Sequence, residues 1–261
     1  MTTTLVRRAG VFALIAATTT TLAGCTGVLG ARMTYNDTES GKITEIVLDG
    51  GSGDVAVTTT TAQLTTIKRV VRGSSNPGES YKLTGTTLSL DTTCGPDCSV
   101  SYEIQAPAGV AVRGELRSGD IGLDGVGATD VRLTSGNVIV RNATGPVQVR
   151  STSGDIQVLD AKGAVTAQAT SGNVQATNVG GAVDIRSTSG DVDVKLSAAN
   201  SVHAVASSGN VSVVLPQGSY KISTDTGSGN AGVHGLTSDP TAKNVIDVRT
   251  ASGDVDVAAA A

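Results

Sequence analysis

Large aromatic side chains are almost missing: the 261 residues hold no tryptophan, one phenylalanine (Phe12) and four tyrosines, Tyr35, Tyr81, Tyr102 and Tyr220. Chains of this length normally fill a globular core with such rings. A core built only from Val, Ile, Leu and Ala must be thin. Histidine is nearly as scarce. His203 and His234 are far apart and flanked by no cysteine or acid pattern, so no metal-ligand spacing and no Ser/His/Asp arrangement is evident. Basic charge is also lacking. The formal net charge is −4, with no stripe of lysine and arginine, which excludes the electrostatic footprint of a nucleic-acid binder. Plentiful threonine and 33 glycines favour strands and turns over helices.

The N-terminus sets the address. Arg7 and Arg8 precede a short apolar run, Val11 to Ala17, and Leu22-Ala23-Gly24-Cys25 follows. A charged start, an apolar stretch too short to span a bilayer and a small-residue cut site make a secretory signal over residues 1–24. Leu-Ala-Gly-Cys directly after the apolar run resembles the lipobox of bacterial lipoproteins. That resemblance implies lipidation of Cys25 with palmitate-type acyl chains and cleavage before it, leaving the chain outside the cytoplasm and anchored to the bacterial cell membrane. More than one acyl chain gives stable anchoring. Losing residues 1–24 removes two arginines, no acid and Phe12, so the net charge moves from −4 to −6.

Only Cys94 and Cys98 remain after Cys25. In an exported chain an even pair reads as a disulfide, here closing a tight loop over Gly95-Pro96-Asp97.

The strongest pattern is a repeat. Ser-Gly-Asp or Ser-Gly-Asn occurs nine times, with central glycines Gly53, Gly119, Gly136, Gly154, Gly172, Gly190, Gly209, Gly229 and Gly253. After a first gap of 66 the spacings are 17, 18, 18, 18, 19, 20 and 24. Apolar residues alternate on both sides of the tripeptide, as in Val147, Val149, then Ile156 and Val158, while Gln148, Arg150 and Gln157 take the intervening positions. Period two means strands with one buried face. One unit cannot bury that face alone, so successive units must stack. The expected fold is all-β, a right-handed β-solenoid of about 18-residue coils. Eight coils would make a rod roughly 40 Å long.

At the corner, Gly is expected at positive φ. The residue after it runs Asp120, Asn137, Asp155, Asn173, Asp191, Asn210, Asn230, Asp254. Stacked carboxylates would repel, so alternation with a neutral isostere spaces the charges. Arg150 and Arg186 each stand five residues before an Asp, where lateral salt bridges are expected.

The organisation follows: residues 1–24 signal peptide, 25–40 lipidated tether, 41–107 less regular N-terminal β cap carrying the disulfide loop, 108–258 solenoid. Strands are expected over Leu64 to Val71, Tyr81 to Leu90 and Ser99 to Ala106. The late insertions, Pro216 to Tyr220 and His234 to Asn244, are expected as longer turns on one face.

The lipobox, the Ser-Gly-Asp/Asn array followed by Val-x-Val, and Ser99-Val-Ser-Tyr102-Glu-Ile-Gln-Ala-Pro107 together resemble a bacterial family, a domain of unknown function called a putative adhesin with β-strand repeats. The resemblance spans roughly residues 43 to 258. It implies a solenoid and an exported location, and it carries over no functional residue.

The functional expectation is a non-catalytic, adhesin-like interaction or scaffold module without cofactor or metal. Its partner would be the membrane through the anchor, and an envelope or extracellular protein or glycan. Two alternatives stand beside it. Gly-Asp-Val-x-Val faintly matches calcium-binding β-roll repeats, yet supplies one acid per unit at most where calcium needs six to eight oxygens. A polysaccharide-acting β-helix enzyme would need acids gathered in a cleft, whereas Asp124, Asp130, Asp160, Asp184 and Asp193 are scattered.

Overall fold

A computed structural model describes residues 32–73 and 78–260. Within them the chain forms strands joined by turns, and no helix. The N-terminal part holds β1 (Arg32–Glu39), β2 (Glu45–Asp49), β3 (Val55–Thr60), β4 (Thr65–Arg72), β5 (Tyr81–Thr84), β6 (Thr87–Asp91) and β7 (Ser99–Pro107). Strand pairs follow, each hinged at a Ser-Gly-Asp/Asn corner: β8–β9 (Ala111–Ser118, Ile121–Asp124), β10–β11 (Thr129–Ser135, Val138–Arg141) and β12–β13 (Val147–Ser153, Ile156–Leu159). Next come β14–β15 (Val165–Ser171, Val174–Val179), β16–β17 (Val183–Ser189, Val192–Leu196) and β18–β19 (Val202–Ser208, Val211–Leu215). The last are β20–β21 (Tyr220–Thr226, Ala231–His234) and β22–β23 (Asn244–Ser252, Val255–Ala259).

Each pair gives one strand to each of two long sheets, of 12 and 11 strands. Neighbouring coils pair in parallel and in register, so that Val147 lies beside Val165 and Val165 beside Val183. Inward residues therefore form columns. Val138, Ile156, Val174, Val192 and Val211 are one, and Val131, Val149, Ala167, Ile185 and Ala204 face them from the other sheet; all are buried. The regular coils contain no aromatic residue. Tyr102 and Tyr220, both buried, sit in the end regions, where the regular register no longer limits side-chain volume.

Coil order in space departs from chain order at both ends. After β3 the chain leaves the stack, builds the cap from β4 to β7, and returns as β8–β9 directly beside β2–β3, with Val55 against Ile121. The 66-residue gap thus separates two corners that touch. At the other end β22–β23 inserts between β18–β19 and β20–β21, which is outermost. Residues 216–220 and 234–244, expected as longer turns on one face, instead carry the chain out to the terminal coil and back. That coil suits an end position. Its inner side is less apolar, with Thr224 half-buried and Val233 39% exposed, as terminal repeats require.

Two further expectations are corrected. Arg32–Glu39, assigned to the tether, is a strand in register with β4 from Arg32–Arg72 to Glu39–Thr65. Its alternation puts Met33 and Tyr35 on the core side, and pairing covers an edge that would otherwise be open. Tyr81 to Leu90 is a hairpin rather than one strand, because Gly85 adopts φ +63° between β5 and β6.

Candidate functional site

Every corner but the first places its glycine over the corner glycine of the adjacent coil. A methyl group built on Gly154 would lie 2.0 Å from the carbonyl oxygen of Gly136, and one on Gly172 would lie 2.3 Å from that of Gly154. Gly119, Gly136, Gly154, Gly172, Gly190, Gly209, Gly229 and Gly253 all have φ between 106° and 144°. Gly53 does not, contrary to expectation; the Val100 carbonyl oxygen, 2.2 Å from a built Cβ, accounts for that glycine instead. A second glycine column, Gly127, Gly145, Gly163 and Gly181, lines the opposite turn, where a Cβ would meet backbone at 2.5 to 2.7 Å. Its strict 18-residue spacing is visible in the sequence.

The residue after each corner glycine does more than space charge. Its Oδ1 accepts the backbone N–H of the equivalent residue one coil on: Asn137 to Asp120 at 2.8 Å, Asp155 to Asn137 at 3.0 Å, Asn173 to Asp155 at 2.8 Å, Asp191 to Asn173 at 3.0 Å and Asn210 to Asp191 at 2.8 Å. The ladder starts at Asp54, whose carboxylate accepts the Asp120 N–H at 3.1 Å. The ladder continues through Asp254, whose N–H reaches Asn210 at 2.9 Å, to Asn230, whose N–H reaches Asp254 at 2.8 Å. In chain order Asn210 and Asn230 break the alternation. In space Asp254 stands between them, and the charge alternates without interruption from Asp120 to Asn230.

Cys94 and Cys98 are joined in a disulfide with Cα atoms 5.2 Å apart. Cys25 lies outside the described residues. In the cap, the Arg69 guanidinium is sandwiched between the rings of Tyr35 and Tyr81, at 5.0 and 5.1 Å, and pairs with Asp37 at 3.1 Å. The buried Tyr102 hydroxyl reaches the carbonyls of Ser80 and Asp91, and burial pushes its pKa up to about 12. Three of the four tyrosines thus gather at one end of the molecule, a grouping the sequence spacing does not announce.

Outside, the 11-stranded sheet shows three parallel columns. The first contains Asp130, Gln148, Thr166, Asp184, His203 and Asp247. Beside it run Glu115, Arg132, Arg150, Gln168, Arg186, Val205 and Arg249. Arg150 and Arg186 do not form the bridges expected to Asp155 and Asp191. Those carboxylates face the corner, and the arginines turn to Asp130 at 3.7 Å and Asp184 at 3.2 Å. Thr134, Thr152, Thr170, Thr188 and Ser207 follow as an exposed hydroxyl rail. The second and third columns border a shallow groove of about 920 Å³ along the stack.

Both histidines contact an acid, His203 to Asp247 at 3.2 Å and His234 to Asp256 at 3.1 Å, on opposite sheets. Ser223 lies on the far side of Asp247 from His203, so the three residues do not place a hydroxyl against an imidazole base. Asp130 and Asp184 face one sheet, Asp193 the other, and Asp160 a turn with φ +58°. No group of three or more His, Cys, Asp or Glu able to hold a metal occurs among the described residues.

The sequence profile of the Toastrack DUF4097 family matches residues 38–179 and 168–258. No curated protein matches the chain. Among solved structures, a protein of Bacteroides fragilis named as a putative adhesin is similar with a TM-score of 0.50 at 16% identity, covering 90% of this chain and all of its own. One of Parabacteroides merdae with the same name gives 0.43 at 10% identity, covering 89% of this chain and 97% of its own. At 16% identity the first likeness speaks for the fold alone. With the profile spanning nearly all of the paired corners and their ladder, the chain belongs to the Toastrack DUF4097 family.

Proposed function

We propose that the protein is an extracytoplasmic, non-catalytic interaction module, adhesin-like in role and held to the bacterial cell membrane by lipid on Cys25. The observation that carries this reading is the continuous parallel stacking, which sets outward side chains in straight columns on two long, rigid faces. Such surfaces suit extended partners. The adhesin names of the structural neighbours point the same way. We take the solenoid as right-handed, with coils of about 18 residues, because parallel crossovers strongly prefer that hand. A calcium-binding role is disfavoured by the corner ladder, whose Oδ1 atoms are already engaged by backbone N–H groups.

The test places a photo-crosslinking side chain at Gln157 on the 12-stranded face, or at Gln168 on the other, in the full-length protein on live cells. A recurrent partner from either face, lost with Cys25→Ala as the chain leaves the membrane fraction, is the expected result. Self-products or a diffuse smear from both positions would count against a specific interaction module. A chain that stays lipid-labelled and membrane-bound after Cys25→Ala would overturn the anchor.

A further inference from the structure

We propose that the 11-stranded face binds a linear carboxylated polysaccharide, laid along the solenoid axis between the arginine column and the threonine rail. The assignment deepens the interaction-module reading and rests on it.

Charge is the first ground. The chain is acidic overall, yet the groove collects Arg117, Arg132, Arg150 and Arg186 against only Asp49 and Glu115, both at its N-terminal end. Arg117 and Arg132 engage no carboxylate among the described residues. The Arg150 Nη1 that faces Asp130 across 3.7 Å is buried and makes no hydrogen bond, so only the rest of that guanidinium faces the groove. The pairs to Asp130 and Asp184 are long or exposed, and such pairs contribute little and exchange readily. A guanidinium carries five donors in a fork that matches a carboxylate, so much of this capacity is unused.

Spacing is the second ground. Successive coils repeat at about 4.8 Å, close to the advance of one pyranose ring in an extended 1,4-linked chain. From Arg117 to Ser207 the groove crosses six coils, roughly 24 Å. Arg132 and Arg150 sit one coil apart, and Arg186 two coils further on.

The hydroxyl rail decides the class of polymer. Thr134, Thr152, Thr170 and Thr188 are exposed, make no side-chain hydrogen bond among the described residues, and stand next to the cations. A polyphosphate offers acceptors only, so the hydroxyls could donate to it but accept nothing from it. A neutral glycan would use the rail and leave the guanidinium groups without a carboxylate. Nucleic acid would need aromatic platforms for its bases, and no tyrosine lies in this groove. A polymer bearing both carboxylates and hydroxyls at each step uses both columns.

The experiment titrates the full lipidated chain, in detergent micelles, with short and long oligogalacturonates, their methyl esters, and polyphosphate. Expected are binding that strengthens with length up to the groove's span, weakens with salt, and is lost on esterification. Arg132→Gln should weaken it about ten-fold, the scale of one charge-assisted bond. Thr152→Val with Thr170→Val should weaken it several-fold. Arg141→Gln, on the opposite face, should leave it unchanged, and unaltered thermal unfolding should show all variants folded. Equal binding of the methyl esters, indifference to Arg132→Gln, or oligogalacturonate binding that ignores the threonine variants would each overturn the proposal. A protein partner captured at Gln168 on cells, with no oligogalacturonate bound in vitro, would overturn the glycan assignment and leave the interaction reading standing.

Discussion

At the residue scale the corner glycine answers two demands at once, a φ near +120° and a carbonyl oxygen stacked where a Cβ would be. Neither relaxes without moving the neighbouring coil. Gly154→Ala should therefore destabilise by about 2 to 4 kcal/mol, combining backbone strain with the steric conflict. Gly122→Ala, with open space around its Cβ position and no positive φ, should change stability by less than about 1 kcal/mol. Urea unfolding followed by circular dichroism measures both; equal losses would contradict the stacked-corner account. The next residue supplies a separable test. Asp155→Asn keeps the acceptor for the Asn173 N–H and should be nearly neutral, whereas Asp155→Ala should cost about 1 kcal/mol. Asn173→Asp would insert a carboxylate between those of Asp155 and Asp191 in adjacent coils, a destabilisation that added salt should reduce.

At the element scale the cap works differently from the repeats, because it contains antiparallel pairs and carries three of the four tyrosines. Tyr102 links β7 to the Ser80 and Asp91 carbonyls. Burial raises its pKa to about 12, against about 10 when unfolded. The neutral phenol is thus the form the fold favours. Its contribution is complete below about pH 10 and is lost as pH rises through about 12. Phenolate absorbance should show one tyrosine titrating with cap loosening in that window, and Tyr102→Phe should flatten the pH dependence of stability there. A Tyr102 that ionises near pH 10 with no change in stability would refute the role. Such elements were the least legible from sequence. The period-two runs at Leu64 to Val71 and Ser99 to Ala106 are strands, but Gly85 hides a hairpin inside the run at Tyr81 to Leu90, and β1 reads as polar tether because half its side chains face water. Antiparallel pairing leaves no fixed interval to find; it sets Tyr35 beside Arg69, while Tyr81 reaches them from the other sheet.

At the scale of the whole molecule the repeat spacing predicted which residues stack, because one residue per coil at constant pitch is a local rule. It did not predict the order of the end coils. Spacings of 66, 20 and 24 look like insertions, although the corners on each side of the first gap touch. Charge alternation held a usable signal: Asn210, Asn230, Asp254 is irregular in chain order and regular once Asp254 moves between the two asparagines. The groove was invisible for a related reason. Its arginines and threonines are ordinary strand residues until parallel register sets them side by side, and only the continuous stack makes them a surface.

That continuity, with its exchanged terminal coils, is the central claim, and disulfide trapping tests it directly. Ser212 is the lateral neighbour of Asp256, and Gly232 lies beyond Asp256, two coils from Ser212. Adjacent coils fall within disulfide reach; coils two apart, at roughly 10 Å, do not. Under mild oxidation Ser212→Cys with Asp256→Cys should form the crosslink, and Ser212→Cys with Gly232→Cys should not, as read by peptide mapping without reduction. The reverse pattern would mean that the last coils stack in chain order, and the continuous columns described above would not exist in that part of the molecule.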